Sequence, residues 1–249
     1  MGIYLEGIRD GRVREAVTAH TGARYTQHST GVTDGVEGFV AFFEPFMERN
    51  PKRQIDIVRA LEDGRYVFLH VYQSLNDGEY QWVTADLFDT DGDGKVVEHW
   101  DVISAFEGPG PSGRTQVDGS TDITDLHETE ANKARIRLFM TEVLQNGDFS
   151  RVDDYVAEDL IQHAVGMEDG RDAMMERIQE AQDAGARCDY VFKVIGQGNF
   201  VTTYSKSIRE DEAVAVFNIW RLENGRIVEH WSNAESIDER ETWANSGKF

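Results

Sequence analysis

The chain repeats itself, and the repeat constrains its fold more than any other feature does. Residues 95–103 read KVVEHWDVI and residues 226–234 read RIVEHWSNA. Residues 25–35 (YTQHSTGVTDG) and 160–170 (LIQHAVGMEDG) also match, with Gln-His, Gly and Asp-Gly at identical spacing. The offset is 131 residues for the first pair (229 minus 98) and 135 for the second (163 minus 28). A period this long predicts a duplicated domain rather than a solenoid of short repeats.

Within each copy, hydrophobic periodicity predicts helices followed by strands. Helices are expected over residues 3–10, 12–21, 36–49, 130–145 and 171–184. Strands are expected in the first copy over residues 54–62, 66–75, 80–89 and 95–104, with a hairpin turn at 76–78. Helices followed by an antiparallel meander indicate an α+β fold.

The boundary between the copies is marked by Gly-Pro-Gly-Pro-Ser-Gly at 108–113, which can continue neither a helix nor a strand. The polar stretch after it carries little to bury. We therefore predict a first domain over residues 1–107, a linker over 108–128 and a second domain over 129–249. The polar tail from residue 238 is expected to dock through Trp243.

The composition excludes several classes of partner. A net charge of −21 and a pI near 4.6 argue against binding to nucleic acid, because phosphate would be repelled. No apolar run approaches the length of a membrane span, no signal segment opens the chain, and the single Cys188 suits a reducing cytoplasm. Dispersed acidic residues with 6 Lys against 19 Arg are typical of halophilic proteins, in which salt screens charge repulsion. The sequence therefore predicts an acidic, halophilic, cytoplasmic protein.

The motifs of the first copy resemble the SnoaL-like polyketide cyclase family, within the nuclear-transport-factor-2-like superfamily. Those that carry the resemblance are YTQH at 25–28 with the later Gly and Asp-Gly, NPKR at 50–53, VFLHV at 67–71 and VEHWDV at 97–102. The second copy lacks NPKR, and it has Tyr204 where the first has His70 and Ser232 where the first has Asp101.

The resemblance implies two tandem cone-shaped domains, each a curved, mostly antiparallel sheet wrapped on N-terminal helices around an apolar pocket. It also implies pairing through the sheets, so that the halves form an internal pseudo-dimer, and it leaves open whether the whole chain forms a homodimer.

The resemblance also implies ring closure of the aldol type without a cofactor. Such chemistry needs a base beside a carbonyl and a donor for the enolate oxygen. We expect Asp101 to be the acid/base, with its pKa raised by the apolar cone. His28 and His70 are candidates for polarising the carbonyl, and Asp86 converges with His70 and Asp101 if their strand faces point inward. Further pocket candidates are Tyr72, Trp82, Phe88 and His99 in the first copy, and His163, Tyr204, Asn218 and His230 in the second.

Structural alternatives stand beside these roles. A lone histidine on a strand is more often hydrogen-bonded than catalytic, and the persistence of Gln-His in both copies favours a structural role for His28 and His163. Glu98 and Glu229 are expected to face outward as solvated charges. The run DTDGDG at 89–94 is expected to be a hairpin turn rather than a calcium loop, and no Cys/His spacing indicates a metal site.

Two functions follow from this pattern. One is a cofactor-independent cyclase, or a related isomerase or hydrolase, that acts on a small apolar carbonyl compound in the first cone. The alternative is a non-catalytic module that binds a small ligand. A closed pocket lined by both Asp101 and His70 would favour the enzyme.

Overall fold

The structure is a computed structural model that describes all 249 residues. It divides into two compact units. The first comprises Met1–Ala105 together with Asp238–Phe249, and the second comprises Phe106–Ile237. The ends of the units thus differ from the predicted boundaries, because the predicted linker packs with the second unit and the tail packs with the first.

The first unit begins with a π-helical turn over Ile3–Arg9. Its helices are α1 (Val13–His20) and α2 (Gly35–Arg49). Its strands are β1 (Thr21–Gln27), β2 (Arg53–Asp63), β3 (Tyr66–Leu75), β4 (Tyr80–Thr90) and β5 (Val96–Ala105). They form one sheet in the order β1-β5-β4-β3-β2, in which β1 runs parallel to β5 and the other pairs are antiparallel.

The second unit repeats this topology. Its helices are α3 (Thr129–Phe139), which continues into a π-helical turn over Met140–Gln145, α4 (Val152–Tyr155) and α5 (Arg171–Asp183). Its strands are β6 (Val156–Gln162), β7 (Arg187–Gln197), β8 (Phe200–Arg209), β9 (Glu212–Glu223) and β10 (Arg226–Ser236), in the order β6-β10-β9-β8-β7. Each sheet is open, and the predicted α+β fold with two tandem cone domains is confirmed.

The secondary structure of the first copy follows the predictions except at β1. The helices and the four predicted strands of the first copy lie within one or two residues of their expected bounds, and DTDGDG is the hairpin turn between β4 and β5. Strands β1 and β6 were not predicted, since neither alternates cleanly and each pairs only with the last strand of its meander. No helix is long and apolar enough to cross a membrane.

One face of each sheet packs on the helices, and this face is called the interior here. In the first unit Leu69, Val71 and Phe88 meet Tyr4 and Phe46 in a buried cluster. In the second unit the same position is filled by the apolar face of α3 and its π-helical extension, which contributes Ile136, Phe139, Met140 and Val143. Alternation along the strands therefore decides which polar side chains enter the interior.

Candidate active site

The repeated Gln-His motif fixes β1 against β5. The backbone N–H of His28 donates to the carbonyl of His99 at 2.9 Å, and the N–H of Gln27 donates to Asp34 Oδ1 at 2.8 Å. In the second copy the equivalent bonds join His163 to His230 and Gln162 to Asp169, both at 2.9 Å. The spacing that revealed the duplication therefore reflects a conserved local bonding pattern between the copies.

The His28 side chain lies away from the interior. Its ring stacks on Trp100, with centroids 4.8 Å apart and planes 6° from parallel, and its Nε2 lies 2.9 Å from Glu98 Oε1. Glu98 and Trp100 alternate along β5 with His99 and Asp101, so they project from the opposite face. The structure therefore does not bring His28 to the interior residues of the first copy.

The second copy repeats this outer arrangement with a buried carboxylate. His163 stacks on Trp231 at 4.6 Å, and its Nε2 lies 2.8 Å from Glu229 Oε1. Glu229 is buried rather than solvated as predicted, because Arg221 donates to it at 2.6 Å and the Ser120 N–H at 3.3 Å. Burial by itself raises the pKa of Glu229, but the hydrogen bonds from His163 and Arg221 outweigh burial and hold the pKa below its ordinary value.

Three other candidates also lie on the sheet face opposite the interior, and two of them, His70 and Tyr204, are fully buried there. Leu69 pairs with Asp86 across β3 and β4, so His70 and Tyr72 project from the face opposite Asp86. His70 Nδ1 lies 3.1 Å from Arg59 Nη1 instead. The expected convergence of His70 with the interior carboxylates is not found, since β3 presents its odd-numbered side chains to the interior. Tyr204, the equivalent of His70, stacks on Phe217 with centroids 4.2 Å apart.

The interior of the first copy holds a cluster of Asp86, His99 and Asp101. Asp86 and Asp101 lie directly opposite each other on β4 and β5, and His99 Nε2 lies 2.9 Å from Asp86 Oδ1. One nitrogen or oxygen from each of the three residues lies within 4.8 Å of the others, a spacing that would also suit a metal ion. The residues are 1%, 8% and 5% exposed in that order. The predicted inward face of β4 and β5 thus places both carboxylates together.

Asp86 is fully engaged by neighbouring donors. The Tyr4 hydroxyl donates to its two oxygens at 2.9 and 2.8 Å, and Thr84 Oγ1 donates at 2.7 Å. Burial and the charge of Asp86 raise the pKa of Tyr4 well above its ordinary value, so this phenol keeps its proton and remains a donor. His99 Nδ1 lies 2.9 Å from Gln27 Oε1. Tyr4 gave no signal in the sequence, whereas Gln27 belongs to the repeated motif.

The two aromatic candidates of β4 lie on the same face as this cluster, and Phe88 contacts it. The Phe88 ring stacks on His99 with centroids 4.5 Å apart, and Trp82 packs on Phe46 at 6.2 Å. Both therefore lie on the interior face, as the alternation of β4 predicts.

Asp101 is paired with a residue that sequence reasoning missed. Lys248 Nζ donates to Asp101 Oδ1 at 2.9 Å and to the Asp101 carbonyl at 3.1 Å, and the lysine side chain is 1% exposed. Burial by itself raises the pKa of Asp101, but the charges of Lys248 and His99 and a hydrogen bond from Ser29 reverse the shift. The pKa of Asp101 is therefore lowered, which corrects the predicted rise.

The segment that carries Lys248 is held by backbone and amide hydrogen bonds. Ala244 N–H donates to the Thr30 carbonyl at 2.8 Å, and Asn245 Nδ2 donates to the carbonyls of Ser29 and Val32 at 2.6 and 2.8 Å. These acceptors lie in the loop between β1 and α2. The segment thus docks beside the site through its amides, whereas the sequence predicted docking through Trp243.

Gly247 gives this segment its shape. Its φ is +98°, a conformation that glycine adopts readily, and its carbonyl accepts from His28 Nδ1. A Cβ at this position would lie 2.0 Å from the ring of Trp243. Trp243 therefore contributes by packing over Gly247, next to the buried lysine.

The interior of the second copy lacks the carboxylates. Asn218 and Ser232 lie opposite each other on β9 and β10, as Asp86 and Asp101 do in the first copy. His230 Nε2 lies 2.9 Å from Asn218 Oδ1, and its ring stacks on Trp220 at 4.1 Å. Burial, together with the charge of His163, lowers the pKa of His230 to about 3. The equivalent histidine is therefore neutral near pH 7.

The predicted linker also packs on the second unit. The Trp231 Nε1–H donates to the Asp118 carbonyl at 3.0 Å, and His163 Nδ1 lies 2.8 Å from Asp118 Oδ1. Thr124 N–H donates to Asn199 Oδ1 at 2.9 Å. This stretch is polar because it supplies partners to buried polar groups, which composition alone does not reveal.

Comparison with known proteins identifies a family for each half of the chain. A family model described as the SnoaL-like domain matches residues 4–99 and again 136–230. No curated protein matches the chain.

Among solved structures, the chain is similar to IdmH from Streptomyces antibioticus (18% identity, 42% of this chain and 91% of that one, TM-score 0.37). It is similar to a nuclear-transport-factor-2-like protein of unknown function from Mesorhizobium loti (24% identity, 43% of this chain and 93% of that one, TM-score 0.38). It is also similar to an LEH-like epoxide hydrolase from M. tuberculosis (22% identity, 43% of this chain and 85% of that one, TM-score 0.37).

Proposed function

The chain belongs to the SnoaL-like domain family, which it contains twice, and on that premise we propose that the first copy catalyses cofactor-independent acid/base chemistry. The substrate class is a small apolar carbonyl compound, and the reaction is an aldol-type cyclisation or a related isomerisation or hydrolysis. One observation carries the proposal. The first interior places Asp86 and Asp101 beside His99, whereas the second has Asn218 and Ser232 at the same places.

Asp101 is the base in this proposal. Its lowered pKa keeps it ionised at neutral pH, so it is ready to accept a proton from the carbon next to a carbonyl. The resulting enolate attacks a second carbonyl of the same molecule in a cyclisation, or takes the proton back at another carbon in an isomerisation. Asp86 is less available, because Tyr4 and Thr84 donate to its oxygens and His99 contacts it.

Exchange of hydrogen for deuterium next to the carbonyl of 2-tetralone tests the proposal without knowledge of the natural substrate. This ketone is small and apolar, and NMR in D2O follows its α-hydrogens directly. We expect the protein to accelerate exchange, and we expect Asp86→Asn to lower the acceleration by roughly tenfold or more because His99 loses the carboxylate that its Nε2 contacts. Asn218→Ala, at the matching site of the second copy, should retain the wild-type rate.

The same assay separates the enzyme from the binding module. A protein that binds 2-tetralone and related ketones, but exchanges their α-hydrogens no faster than buffer does, would support ligand binding without chemistry. Equal rates for the wild type and Asp86→Asn would also remove Asp86 and its contact with His99 from the mechanism.

We also propose that the acidic excess adapts the protein to a salt-rich cytoplasm. At a net charge of −21, repulsion between carboxylates opposes folding, and salt shortens the screening length from about 10 Å at 0.1 M to about 3 Å at 1 M. We expect the melting temperature to rise between 0.1 M and multimolar KCl. A melting temperature that stays constant or falls over this range would contradict the proposal.

A further inference from the structure

We propose that Lys248 is a catalytic residue of the first copy, whose ammonium group stabilises the enolate oxygen formed when Asp101 takes the substrate proton. This inference rests on the proposed function and extends it to the electrophilic partner of the base. The residue lies 147 positions from Asp101 in the chain and reaches it only because Asp238–Phe249 packs with the first unit.

The first support is the burial of a charged group that the fold does not require. Lysine is almost never fully buried unless it is paired, and here its side chain is 1% exposed and its partner is the buried carboxylate of Asp101. A buried ion pair contributes little to stability compared with apolar residues of similar volume, because both charges lose their hydration. The second copy has the same strand order with Ser232 in place of Asp101, so this topology forms without a carboxylate at that position. A functional role accounts for the pair better than a structural one does.

The second support is the fixed position of the ammonium group. Asn245 bonds two carbonyls of the loop after β1, and Gly247 takes a backbone conformation packed under Trp243. His28 adds a hydrogen bond to the Gly247 carbonyl. Such a segment holds the lysine in place before substrate arrives, and donors fixed in advance are those that stabilise developing charge most strongly.

The third support is the movement of charge during the step. In the resting site Asp101 is negative and Lys248 is positive, at 2.9 Å. When the C–H bond of the substrate breaks, its proton bonds to a carboxylate oxygen of Asp101 and its electron pair forms the enolate. The negative charge therefore leaves Asp101 and appears on the substrate oxygen beside the same ammonium. The number of charges in the site does not change, so no additional charge has to be buried.

Most of the other donors in the cluster serve Asp86 rather than Asp101. The Tyr4 hydroxyl donates to Asp86, and His99 contacts Asp86 and Gln27 through its two ring nitrogens. Lys248 and the Ser29 side chain both donate to Asp101, and Lys248 is the charged donor of the two, so its ammonium lies where charge leaves the base. From this placement we assign to Lys248 the role of hydrogen-bond donor to the enolate oxygen.

The test compares Lys248→Met with Lys248→Arg. Methionine retains most of the aliphatic stem without the charge, and arginine retains the charge. We expect Lys248→Met to slow α-hydrogen exchange of 2-tetralone at least tenfold and Lys248→Arg to restore part of the rate. Gly247→Ala should act like Lys248→Met, because the added Cβ displaces the segment from Trp243.

A second measurement reports on the oxyanion itself. The probe 2-naphthol is an aromatic mimic of the enol, and its absorption distinguishes the bound naphthol from the bound naphtholate. In Asp101→Asn the ammonium has no carboxylate beside it, so the naphtholate should predominate. Adding Lys248→Met to that variant should lower the ratio of naphtholate to naphthol at least tenfold, a change that a purely structural lysine would not cause.

A third measurement needs no ligand. With 13C-labelled aspartate, the Asp101 carboxyl should titrate at higher pH in Lys248→Met than in the wild type. Burial raises the pKa of Asp101, and the variant removes the lysine charge that lowers it. An unchanged titration would overturn the inference whatever the ligand results.

The outcomes separate this inference from the proposed function. If Asp101→Asn abolishes exchange while Lys248→Met equals or exceeds the wild type, the segment is a lid rather than a catalytic element, and the proposed function stands. If wild type and Asp101→Asn exchange at the same rate, the proposed function fails, and the inference that rests on it fails too.

Discussion

Asp101→Asn is expected to lower the rate of α-hydrogen exchange on 2-tetralone by about a hundredfold or more. The asparagine side chain is nearly the same size as the carboxylate but cannot accept the proton, and a positioned general base contributes about 10² to 10⁴ in rate. The measurement is the initial exchange rate by NMR in D2O at neutral pH, where the lowered pKa keeps the wild-type carboxylate ionised.

Two control variants make this result specific. Ser232→Ala alters the matching position of the second copy, and it should leave the rate within about twofold of the wild type because no carboxylate lies there. His70→Gln should also have little effect, since its ring faces away from Asp86. A rate that survives in Asp101→Asn and is lost in Ser232→Ala would reverse the assignment of the working copy.

The effect of Asp101→Asn on folding can be separated from its effect on chemistry. The substitution leaves the ammonium of Lys248 buried without its counter-ion, and breaking a buried pair on one side typically costs about 3–5 kcal/mol. The double variant Asp101→Asn with Lys248→Met removes both charges, so it should recover much of that stability. If it folds like the wild type and still lacks exchange, the lost rate reflects the missing base.

The fold was predictable because its signals are local or repeated. Alternation along β4 and β5 placed Asp86, His99 and Asp101 on one face, and the register confirms that placement. The same reasoning went wrong for β3, because alternation gives two faces and does not say which is interior. His70 was assigned to the interior, and it is the neighbouring Leu69 that lies there.

The parts of the site that the sequence did not reveal depend on contacts between distant segments. Tyr4 bonds Asp86 across 82 positions and Lys248 bonds Asp101 across 147. No local pattern encodes either contact. The predicted rise in the pKa of Asp101 failed for the same reason, since it considered burial alone and a lysine from another part of the chain reverses the shift.

The second copy should lose stability as the pH falls, and His230 is one reason. Its folded pKa is about 3 against an ordinary value of 6.5, because burial and the charge of His163 disfavour the imidazolium. Between these values the unfolded chain binds a proton that the folded unit does not bind. The free energy of unfolding therefore falls with decreasing pH, by up to about 1.4 kcal/mol per pH unit and on the order of 5 kcal/mol over the full window.

Denaturant unfolding of the wild type and of His230→Gln between pH 7 and pH 4.5 measures this contribution. We expect the free energy of unfolding to decrease more steeply with acidification in the wild type, because glutamine at position 230 has no proton to gain.

His127→Gln is the matched control, since the His127 side chain is 77% exposed and its replacement should leave the slope unchanged. Because most carboxylates titrate below this range, the difference in slope between wild type and His230→Gln isolates the histidine. Identical slopes would show that the His230 ring takes up a proton in the folded protein as readily as in the unfolded chain, and the second interior would then not be the neutral counterpart of the first.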